Sequence, residues 1–274
     1  MIRLLAARRI ALTFIVACVA IAFLVPASPA ASQTPATHTR RADKPTIVLV
    51  HGAFEDGTSW QQVVAGLQRR QYDVIAVQMP LTSLGADVEV TKRVIDAQAG
   101  PVVVVGHSWG GAVITDAAAD NARVKALVYI AAFAPDAREV VGAYNDKYPS
   151  RFGSALKVDA AGYLTVDPAQ FHELFAKDVP VNQVRIAAAT QKPIISTAFG
   201  EAVSRAAWRS IPSWYLVTLE DQAIHPDLQR FYAERMKAKT IEVKSSHAVI
   251  ASHADDVVRL IEDAARSLRS VSQK

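Results

Sequence analysis

Short apolar runs alternate with amphipathic stretches along most of this chain. The clearest run is four valines at 102–105, which follow Gly100 and Pro101 and are typical of a short strand buried on both faces. Stretches with apolar residues every three or four positions separate such runs, as amphipathic helices do. The predicted strands are 46–50, 72–77, 102–105, 124–132, 212–219 and 240–243, and the predicted helices are 59–71, 87–99, 111–120, 226–238 and 254–268. This alternation predicts an α/β fold with a mostly parallel, doubly wound sheet.

The alternation stops between residues 135 and 207. This segment has no strong strand pattern, and its clearest periodic stretches, 168–176 and 181–191, are helical. We interpret it as a helical cap inserted into a core formed by residues 45–134 and 208–274. Several aromatic residues in or near the cap would either line an apolar pocket or fill the core: Phe133, Tyr144, Phe152, Phe171 and Phe175.

Residues 1–31 have the organisation of a secretory signal peptide. A basic start precedes the apolar run 10–25, and small residues suited to cleavage occupy 26–32. The apolar run is shorter than the roughly 20 residues that a spanning helix needs. Residues 32–44 are polar, have no period and indicate a flexible leader. We therefore expect a periplasmic or secreted protein without a stable membrane anchor.

Composition narrows the class of protein further. Hydrophobic residues make up 51% of the chain, which excludes disorder for most of it. The signal segment contains three arginines and no acidic residue, so its removal lowers the formal net charge from +4 to +1. Such a chain offers no electrostatic basis for binding nucleic acid. The single cysteine, Cys18, lies in the signal segment, so we expect no disulfide and no thiolate metal site after cleavage.

A G-x-S-x-G motif lies between the buried strand 102–105 and the predicted helix 111–120. Its serine is Ser108, flanked at two positions by Gly106 and Gly110. In a strand–turn–helix context this motif holds the serine in a strained turn with its hydroxyl clear of the sheet, and a Cβ at either glycine would strike the crossing backbone. We predict that Ser108 is a nucleophile.

A serine hydroxyl needs a histidine to take its proton and a carboxylate to orient that histidine. In this kind of fold the acid and then the histidine follow the serine, each after a strand. Asp221 lies in the loop after strand 212–219 and is favoured over Glu220 because its side chain is shorter. His247 follows strand 240–243 within a few residues, so it is favoured over His253, which begins the last helix.

Acyl transfer also needs two backbone N–H donors for the negative oxygen of the transition state. The residue after the nucleophile, Trp109, supplies one of them. The other should come from the loop after the first strand, where Ala53 and Phe54 are the candidates. The rings of Trp109, Phe54 and Trp60 could line the acyl pocket or fill the core.

Four short motifs together resemble the α/β-hydrolases: His51-Gly52-Ala53, residues 106–111, residues 218–222 and Ser246-His247. Within that superfamily the chain is similar to the capped group of plant methyl-esterases, hydroxynitrile lyases and bacterial pyrethroid-type carboxylesterases. The resemblance implies Ser108, Asp221 and His247 as the catalytic triad. It also implies Ala53 and Trp109 as the oxyanion donors.

The lyases of this group carry a threonine directly after the first-strand histidine and a lysine directly after the base. Here these positions are Gly52 and Ala248, which favours hydrolysis. The expected function is cleavage of small or medium apolar carboxylic esters through an acyl-enzyme on Ser108, without a metal or an organic cofactor. A hydroxynitrile-lyase activity and a small-molecule-binding role with little turnover are the alternatives. The expected partner is the ester substrate, and assembly into a homodimer is left open.

Overall fold

The computed structural model describes residues 44–271. Its strands are β1 (Thr46–Val50), β2 (Val74–Ala76), β3 (Val102–His107), β4 (Val124–Ile130), β5 (Leu156–Val158), β6 (Tyr163–Val166), β7 (Ile194–Ile195), β8 (Ser213–Thr218) and β9 (Lys239–Val243). Its helices are α1 (Gln61–Arg69), α2 (Leu84–Asp96), α3 (Trp109–Ala117), α4 (Pro168–Leu174), α5 (Val181–Thr190), α6 (Pro226–Arg235), α7 (Val249–Ser252) and α8 (Ala254–Val271). The signal peptide predicted over 1–31 lies outside the described residues, as does the predicted leader 32–44 apart from Lys44.

Six strands form one sheet in the order β2-β1-β3-β4-β8-β9, and every pairing in it is parallel. Side chains alternate between the faces, so Ile47 and Leu49 of β1 pack in one core and Val48 and Val50 pack in the other. Helices α1 and α8 cover the first face, and α2, α3 and α6 cover the second. The predicted doubly wound α/β fold is confirmed.

The segment 135–207 contains the two predicted helices as α4 and α5. It also contains a three-stranded antiparallel sheet, β5-β6-β7, which the sequence pattern did not indicate. These strands are two to four residues long, too short for a period to show in the sequence. Their pairing is non-local: Leu164 of β6 pairs with Ile194 of β7.

Several predicted boundaries shift because local capping decides where an element begins. Helix α2 begins three residues before its predicted start, because the Ser83 hydroxyl accepts a hydrogen bond from the Ala86 N–H at 2.9 Å. Strand β2 keeps only the middle of its predicted range.

Within residues 44–271, none of the helices has the length and apolar character needed to cross a membrane.

Candidate active site

Ser108 sits in the sharp turn between β3 and α3, with φ 52° and ψ −119°. This strained backbone is held by hydrogen bonds on both sides: Ser108 N–H donates to Ile130 O at 3.2 Å, and Ser108 O accepts from the Phe133 N–H at 3.1 Å. A Cβ at Gly106 would lie 2.6 Å from Gly110 O, so the turn requires glycine there. The motif has the strand–turn–helix geometry that the sequence predicts.

In the structure, two hydrogen bonds join Ser108 to His247 and His247 to Asp221. His247 Nε2 lies 2.8 Å from Ser108 Oγ, and His247 Nδ1 lies 2.7 Å from Asp221 Oδ2. Because a carboxylate accepts, Nδ1 carries the proton and Nε2 is free to accept one from the serine hydroxyl. All three side chains are buried.

Glu220 and His253, the alternatives for the acid and the base, lie elsewhere. Glu220 is exposed and faces Lys244 at 3.6 Å. His253 is about one-third exposed and lies 3.5 Å from Asp178. Neither one is part of the hydrogen-bonded line to Ser108.

Five hydrogen bonds fix the Asp221 carboxylate. Its Oδ1 accepts from the backbone N–H groups of Ala223 and Ile224 at 2.7 and 2.9 Å. Its Oδ2 accepts from Thr218 Oγ1 at 2.8 Å and Gln229 Nε2 at 2.9 Å, in addition to the histidine. Sequence reasoning missed Thr218 and Gln229 as partners of this carboxylate, although Thr218 stands in the motif 218–222.

The loop that carries His247 is also held by the segment 135–207. Asp178 accepts hydrogen bonds from the side chains of Ser245 and Ser246, at 2.8 Å for Ser245. Phe175 O accepts from the Ala248 N–H at 3.1 Å. The loop that carries His247 is therefore hydrogen-bonded to the predicted cap on either side of this residue.

The loop after β1 lies beside Ser108, and Ala53 and Trp109 both line the cavity above the serine. As the first residue of α3, Trp109 has a backbone N–H without an acceptor inside its own helix. His51 anchors this loop: its Nδ1–H donates to Gly52 O at 2.8 Å, and its Nε2 accepts from the Met79 N–H at 3.1 Å. Burial lowers the pKa of His51, which agrees with a neutral ring that orders the loop.

A cavity of about 80 Å³ covers Ser108 and His247, and five phenylalanine rings line part of its wall. These rings are Phe54, Phe133, Phe152, Phe175 and Phe199. Trp60, by contrast, is fully buried in the core on the other side of the sheet. The cavity thus suits a small apolar group next to the serine.

A second cavity of about 390 Å³ lies next to the first and shares Phe54 and Phe175 with it. Helix α5 forms part of its wall through Val184, Ile186 and Ala187. Ile186 is 65% exposed. We call this cavity the α5 groove.

Comparison with known proteins places the chain in a family. A model of the alpha/beta hydrolase family matches residues 47–260. The chain belongs to the alpha/beta hydrolase family. The superfamily indicated by the four short motifs is therefore confirmed.

Individual relatives are distant. The chain is 28% identical over 245 residues to alpha/beta hydrolase nvfD of Aspergillus novofumigatus, which covers 81% of this chain and 97% of that protein. It is 25% identical over 230 residues to Methylesterase 2 of Arabidopsis thaliana, covering 72% of this chain and 86% of that protein. The crystal structure of a pyrethroid hydrolase from Sphingobium faniae matches with a TM-score of 0.71 at 21% identity, over 81% of this chain and 97% of that one. This last likeness shows the fold.

Proposed function

We propose that the protein is a serine esterase that hydrolyses small or medium apolar carboxylic esters through an acyl-enzyme on Ser108. The observation that carries the proposal is the hydrogen-bonded line from Ser108 Oγ through His247 to Asp221, at 2.8 and 2.7 Å. The relatives that are named hydrolases and esterases support it.

In the first half of the reaction, His247 Nε2 takes the hydroxyl proton as Ser108 Oγ attacks the ester carbonyl carbon. The carbonyl oxygen becomes negative and receives hydrogen bonds from the backbone N–H groups of Ala53 and Trp109. The imidazolium then gives its proton to the alkoxide as the ester C–O bond breaks. Asp221 stabilises the transient positive charge on the ring throughout.

In the second half, His247 takes a proton from a water molecule, whose oxygen attacks the acyl carbon bound to Ser108. The bond to Ser108 Oγ breaks, and the serine recovers its proton from the imidazolium. The carboxylic acid leaves. Every proton that His247 accepts is returned within the same half-reaction, so no co-reactant other than water is needed.

Two local features favour hydrolysis over the lyase alternative. A Cβ at Gly52 would lie 3.0 Å from the Ser108 Cβ, 3.1 Å from the Glu55 Oε2 and 3.2 Å from the His107 Nδ1, so the threonine typical of the lyases would require these neighbours to move. Ala248 follows the base and supplies no ammonium group to receive cyanide.

The test is a panel of p-nitrophenyl esters and a cyanohydrin, assayed with the native protein and with Ser108→Ala. We expect turnover of short apolar esters that Ser108→Ala abolishes. Ester turnover that survives this substitution would contradict the nucleophile assignment. Cyanide release faster than ester cleavage would support the lyase, and tight binding of esters without turnover would support a receptor.

A further inference from the structure

A buried ion pair lies directly behind the triad. His107, the residue before Ser108, is fully buried, and its Nδ1 lies 2.9 Å from Glu55 Oε2. The Glu55 side chain is only 9% exposed. The triad does not use either residue, and burying a charge is costly unless the group is paired. Their position next to the nucleophile therefore calls for an explanation.

Each member of the pair also holds a second part of the site. Glu55 Oε2 accepts a hydrogen bond from the Gly52 N–H at 2.9 Å, in the loop that carries Ala53. On the opposite side, His107 Nε2 lies 3.0 Å from the backbone carbonyl oxygen of His247. The pair thus links the loop after β1, the end of β3 and the loop after β9.

The contacts of His107 define its protonation state. With Glu55 ionised, its carboxylate and the carbonyl oxygen of His247 can only accept hydrogen bonds, so both ring nitrogens of His107 donate and the ring is an imidazolium; a neutral ring would require a protonated Glu55. Burial by itself would lower the pKa of His107, but the charge and hydrogen bond of Glu55 and the carbonyl of His247 outweigh it and raise that pKa. Asp221 adds to this effect from further away. His107 correspondingly lowers the pKa of Glu55 despite its burial.

We propose that Glu55 and His107 are positioning residues. Their buried ion pair holds the Gly52 loop and the backbone of His247 at the positions relative to Ser108 that the reaction needs. This inference rests on the proposed esterase function. The two ring nitrogens of His247 contact Ser108 and Asp221. The contact with His107 is therefore made by the backbone carbonyl of His247. The two rings lie close, with centroids 4.9 Å apart, so a shift of His107 displaces His247 directly.

The first test measures the pair in the native protein, using the ¹⁵N chemical shifts of the histidine rings at about pH 7.5. A histidine with the ordinary pKa of about 6.5 is roughly nine-tenths neutral there. We expect both nitrogens of His107 to carry protons, and one of them to lose its proton in Glu55→Gln. A His107 ring with a single proton in the native protein would overturn the proposal.

The second test measures how the Glu55–His107 pair affects the reactivity of Ser108. Glu55→Gln keeps the size of the side chain but removes its charge, and we expect kcat on p-nitrophenyl acetate to fall on the order of ten- to a hundred-fold, with KM changed by less than about threefold. The rate of labelling by a fluorophosphonate should fall in parallel. Glu55→Asp, which keeps the charge, should recover part of both losses.

Glu234→Gln, on an exposed position of α6, is the matched control and should behave as the native protein. Native rates of turnover and labelling in a folded Glu55→Gln would overturn the proposal. If the native protein neither hydrolyses esters nor reacts with the fluorophosphonate, the esterase function fails, and the ring ¹⁵N shifts still decide the ion pair. If Glu55→Gln does not fold, the ring ¹⁵N shifts of the native protein still decide whether Glu55 and His107 form an ion pair.

Discussion

Asp178 offers a test of how the segment 135–207 supports His247, the proposed catalytic base. Its carboxylate accepts hydrogen bonds from Ser245 Oγ at 2.8 Å, from the Ser246 N–H at 3.2 Å and from Ser246 Oγ. His253 Nδ1 lies 3.5 Å away. These contacts hold the two residues that precede His247, so Asp178→Asn should both destabilise the fold and slow the reaction.

The expected magnitude follows from the loss of charge. A hydrogen bond to a charged group contributes roughly 1.5–3 kcal/mol, and such contributions within one cluster are not additive. Asparagine keeps one acceptor oxygen, and the serine hydroxyls can rotate to accept from its amide. We therefore expect a loss of about 2 kcal/mol, which lowers the Tm of a domain of this size by roughly 4–8 °C.

The pH dependence of this loss has a definite sign. Burial raises the pKa of Asp178, but hydrogen bonds from Ser246, Ser245 and Ser252 outweigh it and hold the pKa below its usual value. A carboxyl with a lowered pKa in the folded state stabilises the fold above its unfolded pKa of about 3.9 and loses that contribution as the pH falls through its folded pKa. The difference in Tm between the native protein and Asp178→Asn should therefore be full at pH 7 and shrink below about pH 4.

Thermal unfolding by circular dichroism and kcat on p-nitrophenyl acetate measure the two effects. Glu173→Gln is the control, because Glu173 lies on α4 of the same segment with a side chain that is 56% exposed and pairs with Lys177 four residues further along the chain. An Asp178→Asn protein that matches Glu173→Gln in both Tm and kcat at pH 7 would refute the reasoning.

Three further predictions concern the triad, the turn and the α5 groove. Asp221→Asn should lower kcat on p-nitrophenyl acetate on the order of 10⁴-fold, because the histidine loses its orienting acceptor; a loss below tenfold would contradict this. Gly106→Ala should yield little soluble protein and no fluorophosphonate labelling, since its Cβ would lie 2.6 Å from Gly110 O. Ala187→Trp should fill the α5 groove and lower kcat/KM for medium-chain but not short-chain esters, whereas Ala189→Trp, exposed on the same helix outside the groove, should lower neither.

Much of the fold could be predicted from the sequence because its signals are local. The valine run of β3 is apolar at every position since both of its faces are buried, so the strand is recognisable without knowledge of its neighbours. The serine motif is equally local: the turn needs glycines within two residues of Ser108. The order of acid and histidine after the serine, together with their positions after strand ends and the shorter side chain of Asp221, selected Asp221 and His247, the pair that the structure brings to Ser108.

What was missed depends on contacts between residues far apart in the chain. The short strands β5 to β7 carry too few residues for a period, and their pairing partners are distant in sequence. In the sequence Glu55 is an acidic residue in the loop after the first strand, and no motif marks it. In the structure its carboxylate contacts His107, 52 positions further along the chain. Asp178 likewise contacts Ser245, 67 residues away.

The sequence by itself determined most strands and helices of the core and the residues proposed to carry the chemistry, because periodicity, turns and motifs act over a few residues. Ser108 and His247 are 139 positions apart in the chain, and only the tertiary structure decided how their side chains come within hydrogen-bonding distance. It also decided which buried charges hold the loops around them. Such contacts arise from the packing of whole elements on the sheet, and no local pattern in the chain records them.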